Sequence, residues 1–156
     1  VATVNAYGAI ECAAGLRFSG DRFFSECYLD EPAEAVLEYR FGRAVHRSQV
    51  IEVCNLVGSR PGQSLSFIAK FIEFAELTDA EWVLFTATKS LRALLERSGV
   101  RMTQLGRAER WRVKNPSDWG SYYEHDPRVM AVPRDASCGF KRRSPIGVPI
   151  GAYPNA

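Results

Sequence analysis

Residues 49–64, QVIEVCNLVGSRPGQS, run from an apolar stretch into a Gly/Pro loop, and their reading decides the fold. Apolar residues fall on both phases of 49–57, the pattern of a β-strand buried on both faces. Two polar side chains, Glu52 and Asn55, interrupt that pattern. An unpaired carboxylate in a low-dielectric interior is costly and shifts its pKa upward. Either a partner neutralises Glu52, with Arg47 and Arg92 as the candidates, or the sheet opens there and the carboxyl has a task. Glu52 and Asn55 lie on opposite phases, so a regular strand sends them to opposite faces. A bulge or a splayed strand end would bring them toward one site.

Working outward, the strand gives way to a glycine loop and then to a helix over 64–77, with Leu65, Ile68, Ile72 and Ala75 on one stripe. TDAE (78–81) turns the chain into the strand WVLFTA (82–87). Thr88 caps a helix, KSLRALLERS (89–98), that ends at Gly99. VRMTQLG (100–106) resumes as a strand. This β-α-β-α-β order predicts a locally parallel sheet with right-handed crossovers. Upstream, alternation predicts a strand of about ten residues within 6–18. The turn SGDR and the aromatic stretch FFSECYLD follow it. Asp30 ahead of EPAEAVLEYR reads as a helix start, with proline in the first turn and Glu31 and Glu34 at the positive end of the dipole. After residue 114 the chain is turn-rich and aromatic, and from 133 it is Pro/Gly-rich and basic. The expected organisation is one domain over 1–132 followed by a tail over 133–156.

At 156 residues, with 46% hydrophobic and 24% charged residues, the chain can bury a sizeable core as one globular domain. A net charge of +2 is too small to argue for nucleic acid. The charge is uneven, however. Residues 21–38 carry six carboxylates against Arg22, while 101–114 carry five cations against Glu109, which predicts an acidic face and a basic face. The four cysteines (12, 27, 54, 138) form no CxxC and only His46 and His125 accompany them, so no metal site is expected. A reduced, cytoplasmic protein is the default. No apolar run reaches the roughly 18 residues of a membrane span.

The loop after the strand, with Gly58, Arg60, Gly62, Gln63 and Ser64, places backbone amides where a helix begins, a site for an anion. A plain strand-to-helix turn accounts for it equally. GQSLS resembles a nucleophile elbow but lacks the second glycine and the sharp connection that such an elbow needs. Thr86 and Thr88 stand at the carboxyl edge of a parallel strand, where ligand clefts form, or serve as caps. Trp119, Tyr122 and Tyr123 either cover the core edge or, through a tyrosine hydroxyl, donate a proton.

FFSECYLDEPAE (23–34), RSQVIEVCNLV (47–57), WVLFTATKSLRALLERSGV (82–100) and WGSYYEHDPRVMA (119–131) resemble the thermostable haemolysin family, which has the GNAT-like acyltransferase fold. The resemblance runs from about Gly8 to Ala131. It extends more remotely to the acyl-homoserine-lactone (autoinducer) synthases, whose acidic stretch is similar to Glu26-Cys-Tyr-Leu-Asp30 and whose glutamate-bearing strand is similar to Glu52–Asn55. The resemblance implies an α+β fold: a mixed sheet with a splayed parallel strand pair and flanking helices, lacking the strand and helices with which members of this fold begin. It implies an acyltransferase without a permanently bound cofactor, taking its acyl group from a pantetheine thioester, either coenzyme A or an acyl carrier protein docked on the basic face. The acceptor it implies is the amine of a small metabolite. Glu52 and Asn55 would lie in the gap, with Glu52 as base, and Tyr122 or Tyr123 would protonate the leaving thiolate. Leu56, Val57, Arg60, Gly62, Gln63, Ser64, Thr86, Thr88 and Arg92 would hold the donor. Glu26, Tyr28, Asp30, Arg47 and Trp119 would face the acceptor. The competing expectations are a membrane-active cytolysin and a catalytically inactive binding module.

Overall fold

A computed structural model describes residues 1–58, 67–68, 74–75 and 77–137. Within them one mixed sheet contains β1 (Ala2–Val4), β2 (Ile10–Arg17), β3 (Val50–Gly58), β4 (Trp82–Ala87), β5 (Thr103–Arg107) and β6 (Arg128–Pro133), in the spatial order β1-β2-β3-β4-β6-β5. Helices α1 (Ala33–Phe41) and α2 (Lys89–Arg97) flank it, and residues 67–68 and 74–75 are also helical. The rest of the helix expected over 64–77 lies outside the described residues.

Strand β4 is apolar on both phases because both its faces are covered. Trp82 and Leu84 join Phe23, Leu37, Val50 and Val129 in the core under α1. Val83 and Phe85 pack on the other face with Leu91, Leu95, Val100 and Val132. Each such side chain contributes about 1.5–3 kcal/mol by leaving water. Helix α2 begins as expected, with the Thr88 hydroxyl accepting from the Leu91 amide, and Gly99 takes the left-handed conformation just beyond its end (φ +86°). Helix α1 starts differently. Its N-cap is Pro32, not Asp30, and the first amide of the helix, that of the buried Ala33, donates to the Glu26 carboxylate at 2.9 Å.

The parallel pair decides where a ligand can enter. Strands β3 and β4 pair from Val50↔Trp82 to Val53↔Phe85 and no further, although β3 continues to Gly58 and β4 to Ala87. Beyond that point β3 stays with β2, to Gly58↔Cys12, and β4 stays with β6, to Ala87↔Arg128. The strands therefore part toward their carboxyl ends. Between Gly15↔Cys54 and Ala13↔Val57, β3 spends three residues against two on β2, and Asn55 sits at φ +53°. This is a bulge, and it bends β3 away from β4. The splay also limits burial: only Val50, Ile51 and Glu52 are fully buried, against the expectation of a strand covered throughout.

Several expectations are corrected. The first long strand begins at Ile10 rather than near residue 6, because the Asn5 side chain accepts from the amides of Tyr7 and Ala9 and folds 5–9 into a turn. Residues 2–4 then return as an antiparallel edge strand ahead of it. Strand β5 runs in the direction of β4 without touching it, since β6 lies between them and is antiparallel to both. Strand β6 falls where only turns were expected, and its four central residues are buried. The sheet runs through Pro133, and residues 134–137 form a 3-10 turn. The remainder of the expected tail lies outside the described residues.

Gly15 shows how tightly β2 and β3 approach. A Cβ there would stand 2.8 Å from the Cys54 Sγ. Gly15→Ala is expected to cost about 1–3 kcal/mol, measured by denaturant unfolding, and Cys54→Ala in the same chain should recover most of it. A loss unchanged in the double variant would place the strain elsewhere.

Candidate active site

Where β3 and β4 part, a cavity of about 130 Å³ opens between them. Its lining comes from both faces of the sheet. Phe24, Ser25, Trp119 and Tyr122 border it on the α1 side, and Leu91, Leu95, Val100 and Val132 close it on the α2 side. The cavity thus passes through the sheet, with aromatic rings at one end and aliphatic side chains at the other. At the crossing stand Glu52, Asn55 and Thr86 together with Cys54 and Leu56.

Glu52 is 1% exposed, and neither arginine proposed as its partner reaches it. Its Oε2 accepts from the Phe24 amide at 2.6 Å and its Oε1 from the Ser25 amide at 2.7 Å. Among the described residues the cation that reaches it is Arg17, across the β2–β3 ladder, with Nε 3.9 Å from Oε2. Two backbone donors suit an acceptor-only carboxylate and offset much of the cost of burying it. They also fix the 3-10 turn Phe24–Tyr28 against the sheet. In consequence Ser25, equally buried, sets its hydroxyl 2.9 Å from that of Thr86. Sequence reading passed over Ser25, because its partner lies 61 residues away and no local pattern points to it.

The aromatic end is a stack. The Phe24 and Trp119 rings lie 5.3 Å apart at 22°, and Tyr122 tilts against Trp119 at 5.5 Å. The hydroxyls of Tyr123 and Tyr28 meet at 2.8 Å. Of the two candidate proton donors only Tyr122 borders the cavity. Burial, with a smaller contribution from Tyr123, pushes the Tyr122 phenol up to about 12. Burial also raises Tyr28, reinforced by its hydrogen bond to Tyr123.

The remaining expected site residues separate from the cavity. Arg47 donates to Glu26 at 2.7 Å and to Glu34 at 3.0 Å, and its guanidinium lies over the Phe23 ring at 4.1 Å. Burial alone would raise the Glu26 carboxyl, but the Arg47 hydrogen bond and the Ala33 amide hold it below the usual range. Glu26 and Arg47 therefore bind each other and cap α1, and neither lines the cavity. Asp30 pairs with Arg112 on the surface. Arg92 is taken up by Asp126, and Thr88 by its capping bond. Val57 is 65% exposed at the far end of β3. The acidic stretch is thus largely neutralised by arginines from distant elements. Arg60, Gly62, Gln63 and Ser64 lie outside the described residues.

A family model described as thermostable hemolysin matches residues 1–138. No curated protein matches the chain by sequence. Among solved structures, TofI in a ternary complex with an inhibitor and MTA is similar at 14% identity and a TM-score of 0.60, over 90% of this chain and 67% of that one. The CoA-dependent acyl-homoserine lactone synthase MesI is similar at 13% identity and a TM-score of 0.60, over 92% and 67%. FeeM, an N-acyl amino acid synthase from uncultured soil microbes, is similar at 13% identity and a TM-score of 0.55, over 86% and 71%. The shared feature is the fold, the GNAT-like mixed sheet expected from the sequence.

Proposed function

The chain belongs to the thermostable hemolysin family, and we propose that it is an N-acyltransferase moving an acyl group from a pantetheine thioester to the amine of a small metabolite. The carrying observation is the cavity that passes through the sheet where β3 and β4 part. After Val53 the β4-facing edge of β3 has no strand partner among the described residues, so its peptide groups are suited to pair with the amides of a pantetheine arm. The aliphatic end beside Leu91, Leu95 and Val100 suits an acyl chain, and the aromatic end suits the acceptor. The thioester carbonyl then lies near Glu52 and Thr86, the polar groups at the crossing.

An amine reaches the site as ammonium and must lose a proton before attack. Each Glu52 oxygen accepts one backbone hydrogen bond, leaving acceptor capacity for that proton, taken directly or through water. The amine nitrogen bonds to the carbonyl carbon, the carbon–sulfur bond breaks, and the thiolate departs. A free amide of β3 near Leu56 is suited to polarise the carbonyl as the oxyanion forms. Tyr122 is protonated at neutral pH and faces the cavity. Giving its proton fully to a thiolate, whose conjugate acid has an ordinary pKa near 8.5, is uphill by about 5 kcal/mol. Its role is accordingly a hydrogen bond to the departing sulfur. Of the two protons that the ammonium nitrogen sheds, the one taken by Glu52 before attack passes on to solvent and the one lost as the intermediate collapses neutralises the thiolate. Tyr122→Phe should lower kcat by about 10-fold and leave KM near its original value. An equal loss in both would make Tyr122 a wall residue only.

The donor is coenzyme A or an acyl carrier protein, for which Arg101, Arg110 and Lys114 are each exposed cations. The family's description suggests membrane damage. No helix among the described residues is long and apolar enough to cross a membrane, and we read haemolysis as the effect of an amphiphilic product. The test is thiol release from acyl-coenzyme A and acyl carrier protein of graded chain length with a panel of amines. Release that requires both substrates is expected. Amine-independent release or none would overturn the proposal, and vesicle leakage by protein alone would favour the cytolysin.

A further inference from the structure

The aromatic wall of the cavity is carried by residues 116–125, two short 3-10 turns with little hydrophobic burial of their own. Their carboxyl end is Asp126, which adopts the left-handed conformation (φ +48°, ψ +60°) uncommon for a residue with a side chain. Four groups converge there. Arg92, 11% exposed at its side chain, donates through Nη2 to Asp126 Oδ2 at 2.7 Å and through Nη1 to the Asp126 carbonyl. The same Nη1 donates to the Ala87 carbonyl, the last residue of β4, at 2.8 Å. Arg128 reaches both carboxylate oxygens through Nε, at 3.1 and 3.2 Å, and donates through Nη1 to Gln104 on β5 at 2.6 Å.

The carboxylate of Asp126 therefore joins the end of β4, the first turns of α2, the start of β6 and β5 at one point, four residues after Tyr122. At the other side of the segment, Tyr123 is held by Tyr28 and Trp119 by Phe24. We infer that Asp126 is a positioning residue of the cavity. Its two arginine contacts set the distance between the Trp119–Tyr122 wall and the carboxyl end of β4, and so the width of the opening through which ligand passes. Asp126 touches no reacting group itself. The inference rests on the acyltransfer reading only for its kinetic readout, since the geometry requires merely that the cavity takes a ligand.

Two substitutions separate positioning from a plain turn requirement. Asp126→Gly adopts the left-handed conformation more readily than the native residue but removes both carboxylate–arginine contacts, keeping only the Arg92 bond to the backbone carbonyl. Asp126→Asn tolerates that conformation and keeps an oxygen for one arginine. Binding of N-phenyl-1-naphthylamine, a neutral apolar fluorophore, reads the cavity without any assumption about chemistry. Thioester turnover with an amine reads KM against kcat. If Asp126 positions the wall, Asp126→Gly weakens fluorophore binding and raises the KM for the thioester by about 10-fold. The kcat then changes less than threefold, the melting temperature stays within a few degrees, and Asp126→Asn falls in between. Equal or tighter fluorophore binding by Asp126→Gly would overturn the inference, because a turn requirement alone favours glycine. Failure of the unaltered protein to bind the fluorophore would also overturn it. Fluorophore binding that depends on Asp126, in a protein that turns over no thioester, would sustain the inference and sink the acyltransfer reading.

Discussion

Glu52→Gln is expected to lower amine-dependent thioester turnover by roughly 10²- to 10⁴-fold, the contribution of a positioned base. The same change should lower the unfolding free energy by about 1–3 kcal/mol. The two effects have separate physical origins. The carboxylate accepts from the amides of Phe24 and Ser25, one on each oxygen. Glutamine keeps one acceptor oxygen but turns an NH₂ toward the other backbone N–H, so two donors face each other in a buried site. The stability loss therefore follows from the capping role, and the turnover loss only from the chemical one. Turnover normalised to the folded fraction, followed against pH, separates them. As pH rises toward the ordinary range of an amine, about 8–10, the acceptor loses its own proton and the deficit should shrink. A variant that melts early yet works normally per folded molecule would leave Glu52 as the residue that seats the 24–28 turn and nothing more.

Arg47→Ala carries the largest expected cost in stability, about 3 kcal/mol in denaturant unfolding. It strips Glu26 and Glu34 of their shared cation, releases the carbonyls of Ser19 and Asp21, and uncovers the Phe23 ring. Glu26, whose side chain is 14% exposed in the unaltered protein, then lacks its counter-charge beneath the start of α1. The acid limb of stability should change with it. The native Glu26 carboxyl titrates below its ordinary value of 4.5. Its contribution is therefore present above that pH and is lost as pH falls through the lower, folded value. Asp126 adds a second contribution of the same sign, held down by Arg128 and Arg92. Removing Arg47 should flatten the decline in unfolding free energy below about pH 4.5 by the Glu26 share and leave the Asp126 share in place. An acid limb identical to that of the unaltered protein would show that Glu26 draws its shift from the Ala33 amide instead.

Local pattern was enough for the elements whose partners are generic. WVLFTA is a strand wherever it is covered on both sides, and Thr88 with Gly99 bounds a helix by chemistry contained in a few residues. Glu52 stood out as a carboxylate in an apolar run, but the residues alone left open whether it met a partner or lined an opening. Strand β6 was hidden because RVMAVP is short, follows a turn-rich aromatic segment and ends in proline. It is a strand only because β4 and β5 supply ladder partners on its two sides. The bulge at Asn55 was only one of two ways to bring Glu52 and Asn55 together, and the register difference between β2 and β3 decided it. Likewise Ser25 meets Thr86 across 61 residues, and Arg92 meets Asp126 across 34. The sequence by itself therefore determined which segments fold as strands and helices and that a buried charge demanded an account. Which arginine answers which carboxylate, and which hydroxyls share the cavity, was decided only by the tertiary structure. Such pairings depend on distances of a few ångströms between elements remote along the chain, and no local periodicity encodes them.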